Sequence, residues 1–295
     1  MRIGFVGYGS IGQRHASNAK TLGHQVLVYD PAGPRDVGFE RDIYDTCDAV
    51  VIATPSYVHI AGIRACAARG RHMLVEKPIA TSMATLREML DFAESKKLTV
   101  MVGNNLRFHP CVQSTAHRIS TGQLGKPLWA SFTCAAPSTK PIYLSDGVIL
   151  NTGAHEVDLA LHLLGPAEVL SASATGLDDI ADFVLQHENG CHSTFHLDFV
   201  TPNEIREFRI IGEHGDLYCD LPARAFTARL ADPKLPNVWY RQEFKAHGSY
   251  DDDYLDEMRA FFDRIEGKDV PGATGEDGFA TLQVLLDVRK KAGLE

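Results

Sequence analysis

Three glycines near the amino terminus have the spacing of a dinucleotide-binding turn. Gly7, Gly9 and Gly12 follow a short apolar run and open a stretch with helical periodicity. In such a turn the first glycine permits a tight bend, the second lets the backbone approach a pyrophosphate, and the third allows close packing of helix on strand. The helix amino terminus adds unpaired N–H groups and a positive dipole end. We therefore predict that these glycines, with Ser10 and Ile11 between them, bind a dinucleotide.

An acidic residue, Asp30, ends the second apolar run 23 residues after Gly7. A carboxylate at this position accepts hydrogen bonds from a ribose 2′-hydroxyl and repels a 2′-phosphate, so we expect NAD as the cofactor. Arg35, five residues further on, could reach a 2′-phosphate, and NADP is not excluded. The alternative interpretation is a glycine-rich surface turn with an incidental aspartate.

Lys77 precedes Pro78 at the end of the apolar run 73–75. Proline disfavours the helical region for the residue before it, so the chain should stay extended through Lys77. The carboxyl ends of parallel strands face the ligand crevice, where an ammonium group can stabilise negative charge developing on a substrate oxygen. The structural alternative is a surface lysine paired with Glu76.

A second candidate group lies on one helical stretch. His155, Asp158 and His162 are spaced i, i+3 and i+7, which places them along one stripe of a helix. Asp158 could orient the His155 imidazole and favour its charged form, giving a base for the proton of a secondary alcohol. In the structural alternative, His155 bonds to the backbone near the helix start and Asp158 caps it.

No metal site is predicted. The spacing H-E-x-x-H would need a histidine at position 159, which is leucine in this chain. His192 and His196 share a strand face, but four residues of strand separate them by about 13 Å, too far to share one ion.

The elements that must position these residues differ between the two halves of the chain. Five short apolar runs, at 3–6, 25–29, 49–52, 73–75 and 99–102, alternate with helical stretches. Continuous apolar runs are typical of parallel strands covered on both faces, so we predict a doubly wound Rossmann sheet. Later, alternate residues from Cys191 to Phe199 are mostly apolar, as in an antiparallel sheet, and a hairpin should turn at 213–215.

These patterns predict an α/β fold with two domains. Residues 1–120 should form the dinucleotide-binding domain, and residues 121–295 an α+β domain with a largely antiparallel open sheet. Helices are expected near 155–164, 254–265 and 277–291, the last of which could pack back on the first domain.

Composition excludes several classes of partner. The 295 residues carry a formal charge of −9, which works against binding to nucleic acid or to an anionic membrane surface. No apolar run reaches the roughly 18 to 20 residues of a membrane span, and the amino terminus lacks a signal-peptide pattern, so a cytoplasmic protein is expected. The six cysteines have no C-x-x-C pair and should be reduced, mostly buried thiols.

Several motifs along the chain resemble the Gfo/Idh/MocA family of sugar and cyclitol oxidoreductases. They are the opening glycines, Ala53-Thr-Pro-Ser-Tyr-Val-His59, Glu76-Lys77-Pro78, Asn105-Leu-Arg107-Phe-His-Pro110, Gly153-Ala-His155-Glu-Val-Asp158, the hairpin beginning at Ile211, and Gly275-Glu-Asp-Gly278. The resemblance implies an NAD(P)-dependent enzyme in which Lys77 is catalytic and His155 exchanges the proton. It implies cofactor contacts from Thr54, Pro55, His59, Glu76 and Lys77, and substrate contacts from Asn105, Arg107, Asn151 and Asp158. It also implies a homodimer or homotetramer.

The chain departs from the family pattern at specific positions. Asn151 stands where the family motif D-x-G-x-H has aspartate, and an amide can hold a substrate hydroxyl but cannot ionise. The customary glycine cluster upstream is reduced to Gly147, and Ser56 stands where the family commonly has asparagine. The motifs around Arg107 and His155 look most like members associated with surface-polysaccharide sugar synthesis.

We therefore predict hydride transfer between nicotinamide and a secondary alcohol or ketone of a sugar, cyclitol or nucleotide sugar, with Lys77 and His155 acting on the same oxygen. Two other functions stay open. One is a non-catalytic, dinucleotide-binding sensor. The other is an enzyme that uses NAD transiently to permit elimination or hydrolysis.

Overall fold

The computed structural model describes residues 1–138, 141–232 and 238–294, with only the backbone course for 141–145. Two compact units are present: residues 1–108 with 249–282, and residues 109–248 with 283–295. The predicted domains, 1–120 and 121–295, stay a prediction. The compact units change at residue 108, and they group 249–282 with the first part of the chain.

Nine helices and fourteen strands are formed by the described residues. The helices are α1 (Ser10–Thr21), α2 (Glu40–Thr46), α3 (His59–Arg69), α4 (Leu86–Ser95), α5 (Pro110–Ser120), α6 (Pro141–Asn151), α7 (Gly153–Leu164), α8 (Tyr250–Ile265) and α9 (Gly275–Lys291). The strands are β1 (Arg2–Val6), β2 (Gln25–Tyr29), β3 (Ala49–Ile52), β4 (His72–Glu76), β5 (Val100–Gly103), β6 (Pro127–Ala135), β7 (Ala167–Ala174), β8 (Ile180–His187), β9 (His192–Asp198), β10 (Ile205–Gly212), β11 (Gly215–Asp220), β12 (Ala225–Ala231), β13 (Trp239–Lys245) and β14 (Ala273–Thr274).

The first unit contains a six-stranded sheet in the order β14-β5-β4-β3-β1-β2. Strands β1 to β5 pair in parallel, and the two-residue β14 runs antiparallel to β5. All four residues of β3 are buried, which explains its uninterrupted apolar sequence. The predicted parallel sheet is confirmed, with each strand within one residue of its predicted limits.

The second unit contains an eight-stranded sheet in the order β13-β12-β11-β10-β6-β9-β8-β7. Only the described pair β6 and β9 runs parallel, so the predicted, largely antiparallel sheet is confirmed. The alternate residues from Cys191 to Phe199 are all buried, as their period of two requires. The Phe195 ring stacks on Phe132 and Phe183 with centroids 5.1 and 4.4 Å apart, which anchors the core side of this sheet.

Local signals also match the structure elsewhere. The predicted hairpin is formed by β10 and β11, with Gly212 paired to Gly215 across the turn.

All six cysteines are free thiols, and all except the half-buried Cys134 are buried. Of the helices in the described part of the chain, none combines the length and the apolar content of a transmembrane span.

Candidate active site

The glycine turn between β1 and α1 requires glycine at two of its three positions. Gly7 has a φ of +92°, and a Cβ there would stand 2.4 Å from the Ala53 carbonyl oxygen. A Cβ on Gly12 would stand 2.3 Å from the Gly7 carbonyl oxygen. At Gly9, apart from Gly9 itself and its two chain neighbours, no atom of the described residues lies within 4 Å of the position that a Cβ would take. The turn is therefore closed on its protein side and open at Gly9, the position at which a pyrophosphate would approach.

Helix α1 begins directly after this opening. Gly9 is its N-cap, and Ser10 and Ile11 form the start of its first turn. None of the described residues of that turn is acidic. The first N–H groups of a helix have no partner inside the helix and lie at the positive end of its dipole. This helix start can therefore hold a phosphate group.

Asp30 is tied to the glycine turn by its side chain. Its Oδ2 accepts a hydrogen bond from the Tyr8 backbone N–H at 2.7 Å, and its Oδ1 accepts one from the Ala32 N–H at 2.8 Å. A carboxylate has about four acceptor sites, so ribose hydroxyls can still be accepted. Arg35 lies in the same loop, where its Nε donates to the Asp30 carbonyl at 3.0 Å.

Lys77 directly follows β4, and the Lys77–Pro78 peptide bond is cis. The neighbouring strand β5 pairs Gly103 with Glu76, so Asn104 and Asn105 leave the sheet at the same edge as Lys77. Asn105 is fully buried. Among the described residues, neither of its amide atoms has a hydrogen-bond partner, and the same holds for the buried Oγ1 of Thr54 just beyond β3.

Unpaired buried polar atoms cost free energy, and an ordered water, an ion or a ligand usually completes them. Thr54 and Asn105 stand just beyond β3 and β5, the two strands that flank β4, while further such atoms lie on α1, at Nδ1 of His15 and Nδ2 of Asn18. The open glycine turn, Asp30 and the unpaired atoms of Thr54 and Asn105 are the groups of this unit that could hold a dinucleotide.

His59, predicted as a cofactor contact, is a completely buried link between two strand ends. Its Nε2 lies 2.9 Å from the Thr54 carbonyl oxygen and its Nδ1 lies 2.9 Å from the Pro78 carbonyl oxygen. Pro55 precedes the short turn that leads into α3. The structure thus brings Thr54, His59 and the Lys77–Pro78 segment together.

His15 was not predicted as a site residue, but it is paired with one. Its Nε2 lies 2.7 Å from Oε1 of Glu76, and its ring is fully buried, edge-on to Tyr254 at 5.6 Å. The available sequence signal was a histidine on the otherwise apolar buried face of α1. Glu76, predicted as a cofactor residue, therefore has one oxygen occupied by a partner 61 residues away.

Arg107 is 6 % exposed and held inside the first unit. Its Nη1 lies 3.3 Å from Oδ2 of Asp277 and 3.4 Å from the Gly272 carbonyl oxygen. Burial raises the pKa of Asp277, but the Arg107 charge and hydrogen bonds from Thr274 outweigh burial and lower that pKa. These contacts fix the guanidinium in place, and its predicted substrate contact stays a prediction.

In the second unit, His155 is the third residue of α7 and Asp158 lies one turn further along, as the spacing predicted. Both are buried, with exposed fractions of 8 % and 1 %. Glu156, which directly follows His155, accepts a hydrogen bond from Nε of Arg206 at 2.8 Å. Arg206 lies on β10, and no local sequence pattern points to this partner.

The segment carrying Asn151 is anchored by a partly buried ion pair. Asp178 accepts the Ile149 N–H at 3.2 Å through Oδ1, and its Oδ2 lies 2.6 Å from Nη1 of Arg289. Burial raises the pKa of Asp178, and the Ile149 N–H and the Arg289 charge oppose that rise. Gly147 bends the chain with a φ of +73°, and a Cβ there would stand 2.0 Å from Oδ2 of Asp178. This arrangement fixes the end of α6, where Asn151 lies.

Across the described residues, no group of three or more histidine, cysteine, aspartate or glutamate side chains could hold a metal ion.

The family models match both parts of the chain. The model of an oxidoreductase family with an NAD-binding Rossmann fold matches residues 1–104, and the Gfo/Idh/MocA C-terminal domain model matches residues 112–218. The chain belongs to the Gfo/Idh/MocA family. It is therefore an NAD(P)-dependent oxidoreductase that acts on CH–OH groups, which confirms the predicted family, enzyme class and cofactor type.

Individual relatives of this Gfo/Idh/MocA oxidoreductase include inositol dehydrogenases. Myo-inositol 2-dehydrogenase of Thermotoga maritima is 26% identical over an alignment that covers 100% of this chain and 96% of the relative. The NAD-dependent scyllo-inositol 2-dehydrogenase of Bacillus subtilis is 31% identical over 60% of this chain and 57% of the relative.

Among solved structures, UDP-N-acetylglucosamine 3-dehydrogenase of Acidithiobacillus ferrooxidans superposes with a TM-score of 0.88. It is 23% identical and the match covers 100% of this chain and 98% of that one. At this identity the likeness shows a shared fold.

Proposed function

We propose that this Gfo/Idh/MocA oxidoreductase transfers hydride between NAD and a secondary alcohol carbon of a cyclitol, sugar or nucleotide sugar. The observation that carries the proposal is the edge of the parallel sheet, where Lys77 and the unpartnered amide of Asn105 follow neighbouring strands. The alignment to an inositol dehydrogenase over the whole chain supports the same reaction class.

The cofactor site is assigned to the first unit. The glycine turn would hold the pyrophosphate through its backbone N–H groups and the α1 dipole; its residues are Gly7, Gly9, Ser10, Ile11 and Gly12. Asp30 would accept the hydroxyls of the adjacent ribose, which favours NAD over NADP. Thr54 and Pro55 would form the nicotinamide side, and His59 and Glu76, predicted as cofactor contacts, would support it from behind, because their side chains already contact Thr54, Pro78 and His15. When bound, NAD supplies the acceptor for the hydride.

Lys77 would donate a hydrogen bond to the reacting oxygen of the substrate. Its ammonium charge stabilises the negative charge that grows on this oxygen as the proton leaves. Removing one such donor typically lowers kcat by about 10²- to 10³-fold. The buried amide of Asn105 would complete its hydrogen bonds on a substrate or cofactor oxygen, and Arg107 would hold a further hydroxyl.

His155 would accept the proton of the substrate hydroxyl, with Asp158 stabilising the imidazolium that forms. The low exposure of both side chains keeps competing water away from the imidazole. Asn151 would hold a neighbouring hydroxyl through its amide. Because an amide cannot ionise, the proton has to leave through His155 and not through residue 151.

The substrate class can be tested with a panel of myo-inositol, scyllo-inositol, D-xylose and UDP-N-acetylglucosamine. We expect one or more of them to reduce NAD with one NADH released per molecule oxidised, and the Lys77→Ala variant to be inactive while it still binds NADH. Product formation without net NADH would instead support transient use of NAD. NADH binding without turnover of any compound would support the sensor alternative.

We further propose a homo-oligomer, a dimer or a tetramer, located in the cytoplasm. The face of the eight-stranded sheet opposite its core carries half-buried polar side chains such as Thr194 and His196, and a second copy could cover it. Six free thiols suit a reducing compartment. Light scattering should give a multiple of 32.4 kDa, and a monomer mass would contradict the proposal.

A further inference from the structure

The two residues on either side of Lys77 are each held by a buried histidine. His15 of α1 contacts the Glu76 carboxylate at 2.7 Å, and His59 of α3 contacts the Pro78 carbonyl oxygen at 2.9 Å. Both rings are 0 % exposed. We propose that His15 and His59 clamp the Glu76-Lys77-Pro78 segment and are positioning residues for Lys77. The inference rests on the proposed function, because it gives the clamp its purpose.

The His15 contact has a fixed direction. An ionised carboxylate only accepts hydrogen bonds, so Nε2 of His15 has to donate to Glu76. The ring packs edge-on against Tyr254, and the Arg14 guanidinium lies 4.8 Å from the centre of the Tyr254 ring. Arg14 is itself paired with Asp251 at 2.7 Å. Helix α8 therefore holds the histidine, and the histidine holds the carboxylate.

The carboxylate is also confined from the β5 side. A Cβ on Gly103 would stand 2.8 Å from Oε1 of Glu76, so the strand backbone closes directly over this oxygen. The Gly103 backbone therefore lies against the Glu76 carboxylate on the side of β5. The first half of the clamp thus fixes the residue that immediately precedes Lys77.

The second half joins two strand ends. The carbonyl oxygens of Thr54 and Pro78 both only accept, and each lies 2.9 Å from a different nitrogen of the His59 ring. His59 therefore sets the spacing between the chain after β3 and the chain after Lys77.

A clamp is useful here because lysine has a long, flexible side chain. Its four-carbon stem can place the ammonium group in many positions unless the backbone from which it starts is fixed. A displacement of about 1 Å at a reacting centre can lower a rate by about 10²-fold. Loss of a clamp contact should therefore lower kcat more than it weakens binding of cofactor or substrate.

The test uses the full chain and the panel compound that the wild type oxidises fastest. His15→Leu and Glu76→Ala remove the same contact from its two sides, and His15→Gln retains a donor. His72→Leu is the matched control, because His72 also bonds to the backbone but lies at the opposite end of β4. For each variant, kcat, KM, the NADH dissociation constant and the hydrogen exchange of the Lys77 and Ile79 amides are measured.

We expect His15→Leu and Glu76→Ala each to lower kcat at least tenfold, with KM and the NADH dissociation constant within threefold of wild type. The double variant should be no worse than either single variant, because both remove one interaction. Exchange at Lys77 and Ile79 should accelerate, and His15→Gln should keep at least a third of kcat. His59→Leu should give the same changes in kcat and exchange.

The inference is overturned if kcat stays within threefold in both His15→Leu and Glu76→Ala, or if His72→Leu causes an equal loss. It is also overturned if exchange at Lys77 and Ile79 is unchanged. If His15→Leu does not fold, Glu76→Ala alone decides, since its side chain is at the edge of the core with 12% exposure. Wild-type turnover by Lys77→Ala would contradict the proposed function instead, whatever the exchange data show.

Discussion

The carboxylate of Asp30 accepts a hydrogen bond from the backbone N–H of Tyr8, with 2.7 Å between Oδ2 and the nitrogen. Tyr8 lies between the first two glycines of the dinucleotide turn, so the residue assigned to the ribose is fastened to the residues assigned to the phosphates. The two parts of the proposed cofactor site are thus held in one arrangement before a cofactor arrives.

Asp30→Ala should therefore weaken the use of NAD more than that of NADP. The variant loses the acceptor for the ribose hydroxyls and the repulsion of a 2′-phosphate. One hydrogen bond to a charged group contributes about 1.5–3 kcal/mol, so kcat/KM for NAD should fall about 10- to 100-fold. Steady-state kinetics with both cofactors measures this. Asp36→Ala is the control, because Asp36 binds the Val28 N–H in the same loop. An unchanged ratio of NAD to NADP use would argue against the assignment of Asp30.

Asn151→Asp should move the pH dependence of alcohol oxidation. A carboxylate four residues before His155 favours the imidazolium, so the base needs a higher pH to become neutral. The rising limb of the kcat profile should shift upward by about one pH unit. Gln123→Glu adds the same charge at an exposed site and should leave the profile in place. A profile identical to wild type would remove Asn151 from the mechanism.

His109 should make the folded state sensitive to acid. Burial and then the Arg224 charge lower its pKa from 6.5 to about 4, while its Nδ1 accepts the Cys111 N–H at 3.2 Å. The pKa of His109 is lower in the folded than in the unfolded protein. The folded state therefore has its full stability above pH 6.5 and loses stability as the pH falls toward 4, because the unfolded chain binds the proton first.

Through His109, lowering the pH from 7.5 to 5 should reduce the free energy of unfolding by about 2 kcal/mol. Urea unfolding of His109→Asn and wild type is measured at both pH values. The change in the free energy of unfolding between them should be smaller in the variant by that amount. Gln113→Ala, an exposed change on the same helix, should retain the wild-type difference. A His109→Asn protein with the full wild-type acid sensitivity would contradict the prediction.

Gly147→Ala should be strongly destabilising. The new Cβ would clash with Asp178 and would also force a residue with a side chain into a positive φ. We expect a loss of about 2–4 kcal/mol in unfolding free energy and a lower kcat, since the end of α6 would shift. Gly122→Ala separates the steric clash from the backbone strain, because Gly122 has a φ of +72° but a Cβ there would have no atom of another described part of the chain within 4 Å. This variant should lower the free energy of unfolding by only about 1 kcal/mol. Equal losses in both variants would show that the contact with Asp178 has no role.

The strands and most helix positions could be predicted because their signals are local. The run 49–52 is apolar throughout because β3 is buried on both faces, and the periodicity around His155 indicates a helix near 155–164, which the structure forms as α7 over Gly153–Leu164. The glycine turn could be predicted for the same reason, since the spacing of its residues reflects steric needs within a few residues of chain.

The partners of the site residues could not be predicted in this way. His15 and Glu76 are 61 residues apart, and Asp178 and Arg289 are 111 apart. Hydrophobic periodicity reports which face of an element is buried, but it does not report which distant side chain meets that face. A polar residue on an apolar helix face, such as His15, is the only local sign that a partner exists.

Transfer of deuterium from the substrate carbon to the cofactor tests the proposed hydride transfer. Each compound of the panel, deuterated at its carbinol carbons, is incubated with NAD and the full chain, and the cofactor is analysed by mass spectrometry. For the true substrate class, we expect NADH that carries one deuterium in an amount equal to the ketone formed, and no labelled NADH with Lys77→Ala. Unlabelled cofactor with every compound, or labelled NADH formed by Lys77→Ala at the wild-type rate, would contradict it.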